Sequence, residues 1–204
     1  MEVIWNLLLR LIFNLLKSRV FLKYLGENPK VGKYLLVKLA LAVSTNQIAL
    51  KEVLAICGPP YSGKSYLGKS IMASNARGYW YIDYDEILRM ICSGQEHTDK
   101  LQSLAHDVRE LLIQTCPNPV LLETTLCSEN SLELLLKITQ KWNFKLNYIA
   151  LEVPSRDVLN KRMFNRKRKV LLGKVLSRIE EYRKYLKKFR DTTGIYPNNT
   201  TVAA

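Results

Sequence analysis

The chain has 204 residues, 48% of them apolar, and 31 Lys and Arg against 18 Asp and Glu, a net charge of +13. That length and apolar content suffice for the core of one α/β domain with an appendage. The four cysteines form no C-x-x-C pair and have no His at ligand spacing; this excludes a cysteine metal framework and fits free thiols in a reducing compartment.

Residues 3–16 are almost wholly apolar, interrupted by Asn6, Arg10 and Asn14 at a spacing of four, with Lys17 continuing the row. On a helix this row is one narrow polar stripe beside a broad apolar arc. The run is too short to span a bilayer and carries an Arg at its centre. Its basic residues follow the apolar run and no A-x-A-like site appears, which argues against a secretory leader. Two readings stand. Residues 3–23 form an in-plane anchor on an anionic membrane, with Trp5 and Phe13 on the apolar face and Arg10, Lys17, Arg19 and Lys23 toward the headgroups. Alternatively the helix is buried on the body of the protein or in a homo-oligomer. A Gly-Glu-Asn-Pro turn follows at 26–29, and a second apolar helix is expected from about Val31 to Val43. Residues 1–50 therefore read as a helical appendage and 51–204 as the main domain.

Residues 58–65 read Gly-Pro-Pro-Tyr-Ser-Gly-Lys-Ser, a complete G-x-x-x-x-G-K-[ST] motif. The apolar run Val53–Cys57 precedes it and a helix start follows Ser65, which is the context the motif requires. A strand-loop-helix of this kind aims successive N–H groups and a helix N-terminus at phosphate oxygens. Gly58, Pro59, Pro60, Tyr61, Ser62, Gly63, Lys64, Ser65 and Tyr66 are expected to hold ATP. Lys64 would reach the β- and γ-phosphates, and Ser65 would ligate Mg²⁺.

The remaining elements alternate: strand 79–83, helices 85–93 and 97–115, strand 119–123, helix 128–141, strand 145–152, and helices 155–166 and 171–189. Alternation of this kind predicts an α/β fold of the P-loop kinase type, a parallel sheet with helices on both faces. Chemistry should then gather at the carboxyl ends of the strands. The second strand ends in Asp83-Tyr84-Asp85-Glu86, with Arg89 one turn on, and the third in Glu123-Thr124-Thr125. Asp85 would accept the proton of an acceptor hydroxyl, and Asp83 and Glu123 are candidates to join Ser65 at Mg²⁺. Either aspartate could instead serve only the helix start. Thr124 and Arg168 are candidates to hold the acceptor, and Arg162, Arg166 and Arg168 to close as a lid over the transferring group. Residues 155–190 carry 14 basic and 3 acidic side chains. That excess implies a polyanionic partner, nucleic acid first and anionic lipid second, unless it is a solvated helix face.

The segment Gly78-Tyr-Trp-Tyr-Ile-Asp-Tyr-Asp-Glu-Ile-Leu-Arg89 resembles the one that follows the phosphate loop in phage-type 5′-hydroxyl polynucleotide kinases. Val120-Leu-Leu-Glu-Thr-Thr125, Glu152-Val-Pro154 with Lys161, Arg162 and Arg166, and Thr193-Gly-Ile-Tyr-Pro-Asn-Asn199 are similar to later segments of that family. Glu123 stands where the family has Asp, and no D-x-D-G-T phosphatase motif follows. The resemblance implies an ATP- and Mg²⁺-dependent kinase acting on the 5′ end of RNA or DNA. It further implies Asp85 as base, Arg162 and Arg166 stabilising the developing charge, and Arg89 contacting the acceptor. The same layout occurs in zeta-toxin-like and other small-molecule kinases. A membrane-tethered helicase-like or AAA-type motor is the competing enzyme class, and a silent nucleotide-binding adaptor the third reading. Each fits a cytoplasmic protein, with peripheral membrane association if the anchor reading holds.

Overall fold

The computed structural model describes residues 11–44, 51–74, 78–116, 119–165 and 171–197. In chain order these form α1 (11–17), α2 (Arg19–Glu27), α3 (Pro29–Ser44), β1 (Glu52–Cys57), α4 (Lys64–Ser74), β2 (Trp80–Ile82), α5 (Tyr84–Cys92) and α6 (Asp99–Thr115). There follow β3 (Val120–Thr124), α7 (Glu129–Leu136), β4 (Lys145–Ala150), α8 (Arg156–Phe164) and α9 (Leu172–Thr193). The strands make one sheet of order β2-β3-β1-β4. β1 and β4 run parallel, in register from Glu52 opposite Lys145 to Cys57 opposite Ala150. This is the α/β, P-loop kinase-like architecture that the alternation predicts.

The chain divides into two compact units, one of Met1–Lys51 with Gly78–Val120 and the other of Glu52–Arg77 with Leu121–Ala204. In the first, α2 packs on α5, α3 on α6, and α5 on α6. Ser18 caps α2 by accepting from the Phe21 N–H, and Thr98 caps α6 through the Leu101 N–H. Both satisfy amides that a helix start leaves without partners. Gly26 is required by proximity, since a Cβ there would lie 1.9 Å from the Ile91 carbonyl oxygen.

Residues 1–10, which contain Trp5 and Arg10 of the expected anchor, lie outside the described residues. Within the rest of that stretch, Ile12, Phe13, Leu16 and Leu22 are buried in protein, and Phe13 meets Trp80 edge-on at 4.8 Å. Each such side chain contributes roughly 1.5–3 kcal/mol over its exposed state. Packing therefore holds α1–α3 in this unit, and Phe13 does not lie on a free face. Leu11, Leu15 and Val20 remain exposed. No helix among the described residues is long and apolar enough to cross a membrane.

In the second unit α9 lays Val175, Ile179, Tyr182 and Phe189 inward, at steps of four, three and seven residues that put all four on one face. The Tyr182 hydroxyl is 3.1 Å from the Leu151 carbonyl oxygen and 3.4 Å from that of Cys57, beside the ends of β4 and β1. The helix expected over 128–141 instead changes to a π-helical turn at Lys137–Lys141. There the Thr139 hydroxyl is 3.1 Å from the carbonyl oxygens of both Leu135 and Leu136, a side-chain competitor for the α-helical ladder. All four cysteines are free and buried.

Candidate active site

β1 delivers the chain into Gly58, whose N–H donates to the Thr124 carbonyl at the end of β3. The loop then turns through two left-handed residues, Tyr61 at φ 64° and Gly63 at φ 99°. For glycine that conformation is free, whereas for Tyr61 it costs on the order of 1–2 kcal/mol. Lys64 opens α4 and folds back, its Nζ donating to the Gly58 and Pro59 carbonyls at 2.9 Å each. Ser62 Oγ is buried with no hydrogen-bond partner among the described residues. An orphaned hydroxyl of this kind costs free energy that an acceptor oxygen of a bound phosphate would recover.

The Ser65 hydroxyl donates to Glu123 Oε2 at 3.1 Å, so two of the three proposed Mg²⁺ ligands meet. Among the described residues no three His, Cys, Asp or Glu side chains cluster as a metal cage. A Ser and one carboxylate nevertheless suit Mg²⁺, which is commonly held by one or two protein oxygens with substrate phosphates and water. The residues therefore fit ATP and Mg²⁺.

α8 brings Arg162 to the loop. Its Nη1 donates to the Tyr61 carbonyl at 2.7 Å and lies 3.8 Å from where a Cβ on Gly63 would be. Ser155 caps α8 through the Val158 N–H. Arg166 and Arg168 lie outside the described residues. Thr124 is 4% exposed, and its Oγ1 accepts from the Leu126 N–H while its carbonyl takes the Gly58 N–H. Its visible work is to tie β3 to the loop. Tyr66, by contrast, is 81% exposed on α4.

In the other unit Asp83 accepts from the Asp85 N–H at 2.9 Å and so caps α5. Asp85 and Arg89 are both exposed on α5, at its first turn and its last. Sequence reading missed the support of this helix start. Tyr84 stacks on His106 at 4.5 Å and lies under the Arg109 guanidinium, 5.0 Å from the ring. Arg109 Nη2 also meets His106 Nδ1 at 3.0 Å, and burial lowers this guanidinium from 12.5 to about 10. The i, i+3 spacing of His106 and Arg109 was the only sequence signal, and it did not point to Tyr84.

Two buried thiols, Cys57 and Cys127, feel the charge of Lys64. Burial raises Cys57 from 9.0 to about 12 and Cys127 from 9.0 to about 11, with Lys64 opposing both shifts. Neither is a reactive thiolate at neutral pH.

Residues 53–188 match the family described as AAA domain. The chain belongs to this AAA domain family. Its structure is similar to one in the "Structure of the Pnkp1/Rnl/Hen1 RNA repair complex", with a TM-score of 0.55, 14% identity, and coverage of 77% of this chain and 55% of that one. A second, from the "Structure of Pnkp1/Rnl/Hen1 complex", has a TM-score of 0.46 and 16% identity, covering 63% and 44%. The AAA domain chain thus spans about half the length of the chains it matches. At these identities the likeness is one of fold. No curated protein matches the sequence.

Proposed function

We propose that this AAA domain protein is an ATP- and Mg²⁺-dependent phosphotransferase whose acceptor is the 5′-hydroxyl of RNA or DNA. The observation that carries the phosphotransfer reading is the Ser65–Glu123 contact on the same phosphate loop whose Tyr61 carbonyl receives Arg162. Bound ATP and Mg²⁺ would supply the phosphoryl group and neutralise the phosphate charge.

Lys64 and the loop amides bind and orient the phosphates, and Ser65 and Glu123 hold the metal side. Arg162 contributes a cation where charge develops. Asp85 takes the proton of the acceptor hydroxyl, and Arg89 holds the acceptor. A nucleic acid acceptor is favoured over a small alcohol by α8 itself. Phe164 there is 90% exposed and Lys161 is exposed one turn earlier. An aromatic face beside a cation is what an unpaired nucleotide binds. The fold shared with a chain of an RNA repair complex makes RNA the first acceptor to test.

The test is transfer of labelled γ-phosphate from ATP to 5′-hydroxyl RNA and DNA oligonucleotides. Label on the oligonucleotide that is lost in Lys64→Ala and Asp85→Ala supports the proposal. ATP hydrolysis without labelled oligonucleotide, unaffected by Asp85→Ala, overturns it in favour of a motor.

A further inference from the structure

Tyr61 occupies a costly position for a side chain that a phosphate loop does not need. Its backbone is left-handed at φ 64° and yet it is 8% exposed. The ring does not line the loop's anion side. It joins a separate apolar cluster with Leu159 of α8 and Val175 and Ile179 of α9, against which Val153, Met163 and Leu172 also pack. Every other member of this cluster comes from the lid helix α8, its neighbour α9, or the chain leading into α8. Tyr61 alone comes from the phosphate loop. The same residue offers its carbonyl to Arg162 Nη1 at 2.7 Å. One residue therefore grips α8 twice, by its ring on the buried side of the helix and by its backbone at the arginine.

We propose that Tyr61 is a positioning residue for Arg162, fastening α8 to the phosphate loop so that lid and loop behave as one body. The proposal rests on the reading of Arg162 as the arginine over the transferring group. The left-handed backbone turns the Tyr61 ring away from the phosphates and into the cluster. Its carbonyl is left at the loop surface within reach of the guanidinium. Interdigitated apolar side chains transmit displacement because a packed cluster has few alternative arrangements. A shift of the loop is then carried to Arg162 through Leu159 and Met163.

Hydrogen exchange tests the fastening without any activity. Tyr61→Ala should raise exchange over residues 156–164 by about tenfold or more and leave β4 unchanged. Tyr61→Phe, which keeps the ring in place, should restore protection. Val175→Ala lies outside the loop and should loosen the same helix to a smaller degree, so it decides the matter if Tyr61→Ala does not fold. Unchanged exchange of α8 in both alanine variants overturns the proposal.

Kinetics then separate positioning from loop packing. Tyr61→Ala should lower kcat about tenfold while leaving the KM for ATP within about threefold. In an Arg162→Ala background it should add less than about twofold, because the positioned group is gone. Losses that multiply in the double variant, or a rise in KM at constant kcat, refute it. If the wild type transfers no phosphate, the functional reading falls, and the exchange result still stands or fails by itself.

Discussion

Gly58 tests how tightly the phosphate loop is built. An alanine Cβ there would sit 2.5 Å from Ser62 Oγ, 3.0 Å from Leu151 Cβ and 3.3 Å from Ser62 Cβ. The first contact is impossible without movement, and Ser62 is held inside the turn by its N–H bond to the Pro59 carbonyl. Overpacking of this order costs about 1–3 kcal/mol, or a Tm fall of several degrees for a chain of this size. Ser62→Ala alone removes a buried hydroxyl that has no partner, so it should leave stability unchanged or raise it slightly. In that background the closest contact is absent and only those to Leu151 Cβ and the residue 62 Cβ remain. Gly58→Ala should then cost about half as much, a coupling near 1 kcal/mol. Calorimetric unfolding of the four proteins closes the cycle, with titration of a non-hydrolysable ATP analogue as the second readout. Ser62→Ala should bind the analogue more weakly while unfolding no earlier. A Gly58→Ala protein with wild-type Tm, or an equal cost in both backgrounds, would refute the packing described for the loop.

Glu123→Gln keeps an acceptor for the Ser65 hydroxyl and removes one charge. It should lower activity about 10–100-fold, partly restored by raised Mg²⁺, with little change in Tm; activity indifferent to Mg²⁺ concentration would sink the metal role. Tyr182→Phe should cost about 1 kcal/mol by deleting the hydroxyl at the ends of β1 and β4, measured by urea unfolding, and a neutral result would show that this bond is not formed in solution. Stability should also pass through a maximum near about pH 9. Burial lowers Lys51 from 10.5 to about 8, so between pH 8 and 9 the unfolded chain binds more protons and stability rises. Above pH 9 the unfolded Cys57 and Cys127 release protons that the folded thiols keep to about 12 and about 11, and stability falls. Lys51→Met should remove the rising limb; a wild type that declines steadily from pH 8 contradicts the assignment.

The strands and the phosphate loop were legible because their signals are local. Val53–Cys57 is an apolar run closed by a motif that only one strand-loop-helix satisfies, and β1 appears at Glu52–Cys57 as expected. The division into compact units was not legible. It depends on α2 packing on α5 and α3 on α6, pairings between segments far apart in sequence that no periodicity announces. An amphipathic arc states that one face must be covered, and for Phe13 the cover is Trp80. At the site, the approach of Ser65 to Glu123 followed from the end of β3 lying beside the phosphate loop that leads into α4. The double hold of Tyr61 on α8 did not, since it arises from a left-handed backbone inside a motif whose middle positions accept any residue.

The basic C-terminal third bears on how strongly the proposed acceptor is held, and its charge count overstates the answer. On α9, Arg178 pairs with Glu181 and donates to the Cys127 carbonyl, Arg183 pairs with Glu180, and Lys188 pairs with Glu129. Arg190 lies against the Tyr148 hydroxyl, and Arg162 is engaged by the loop. Arg156, Lys161, Lys174, Lys184 and Lys187 have no carboxylate partner among the described residues and are exposed, Lys184 lying over the Tyr185 ring. An exposed pair contributes little to stability, but its carboxylate offsets the attraction its cation would exert on a strand. If only those five cations reach phosphates, binding of a single-stranded oligonucleotide should fall with salt at a log–log slope of about −3.5. The full excess of this region would give a slope about twice as steep. Lys187→Ala should therefore flatten the slope by roughly 0.7, whereas Arg183→Ala should leave it unchanged. Glu180→Gln, which releases Arg183, should steepen it. A slope insensitive to Lys187 but responsive to Arg183 would mean that the ion pairs of α9 open on binding, and the charge of the whole helix would then have to be counted.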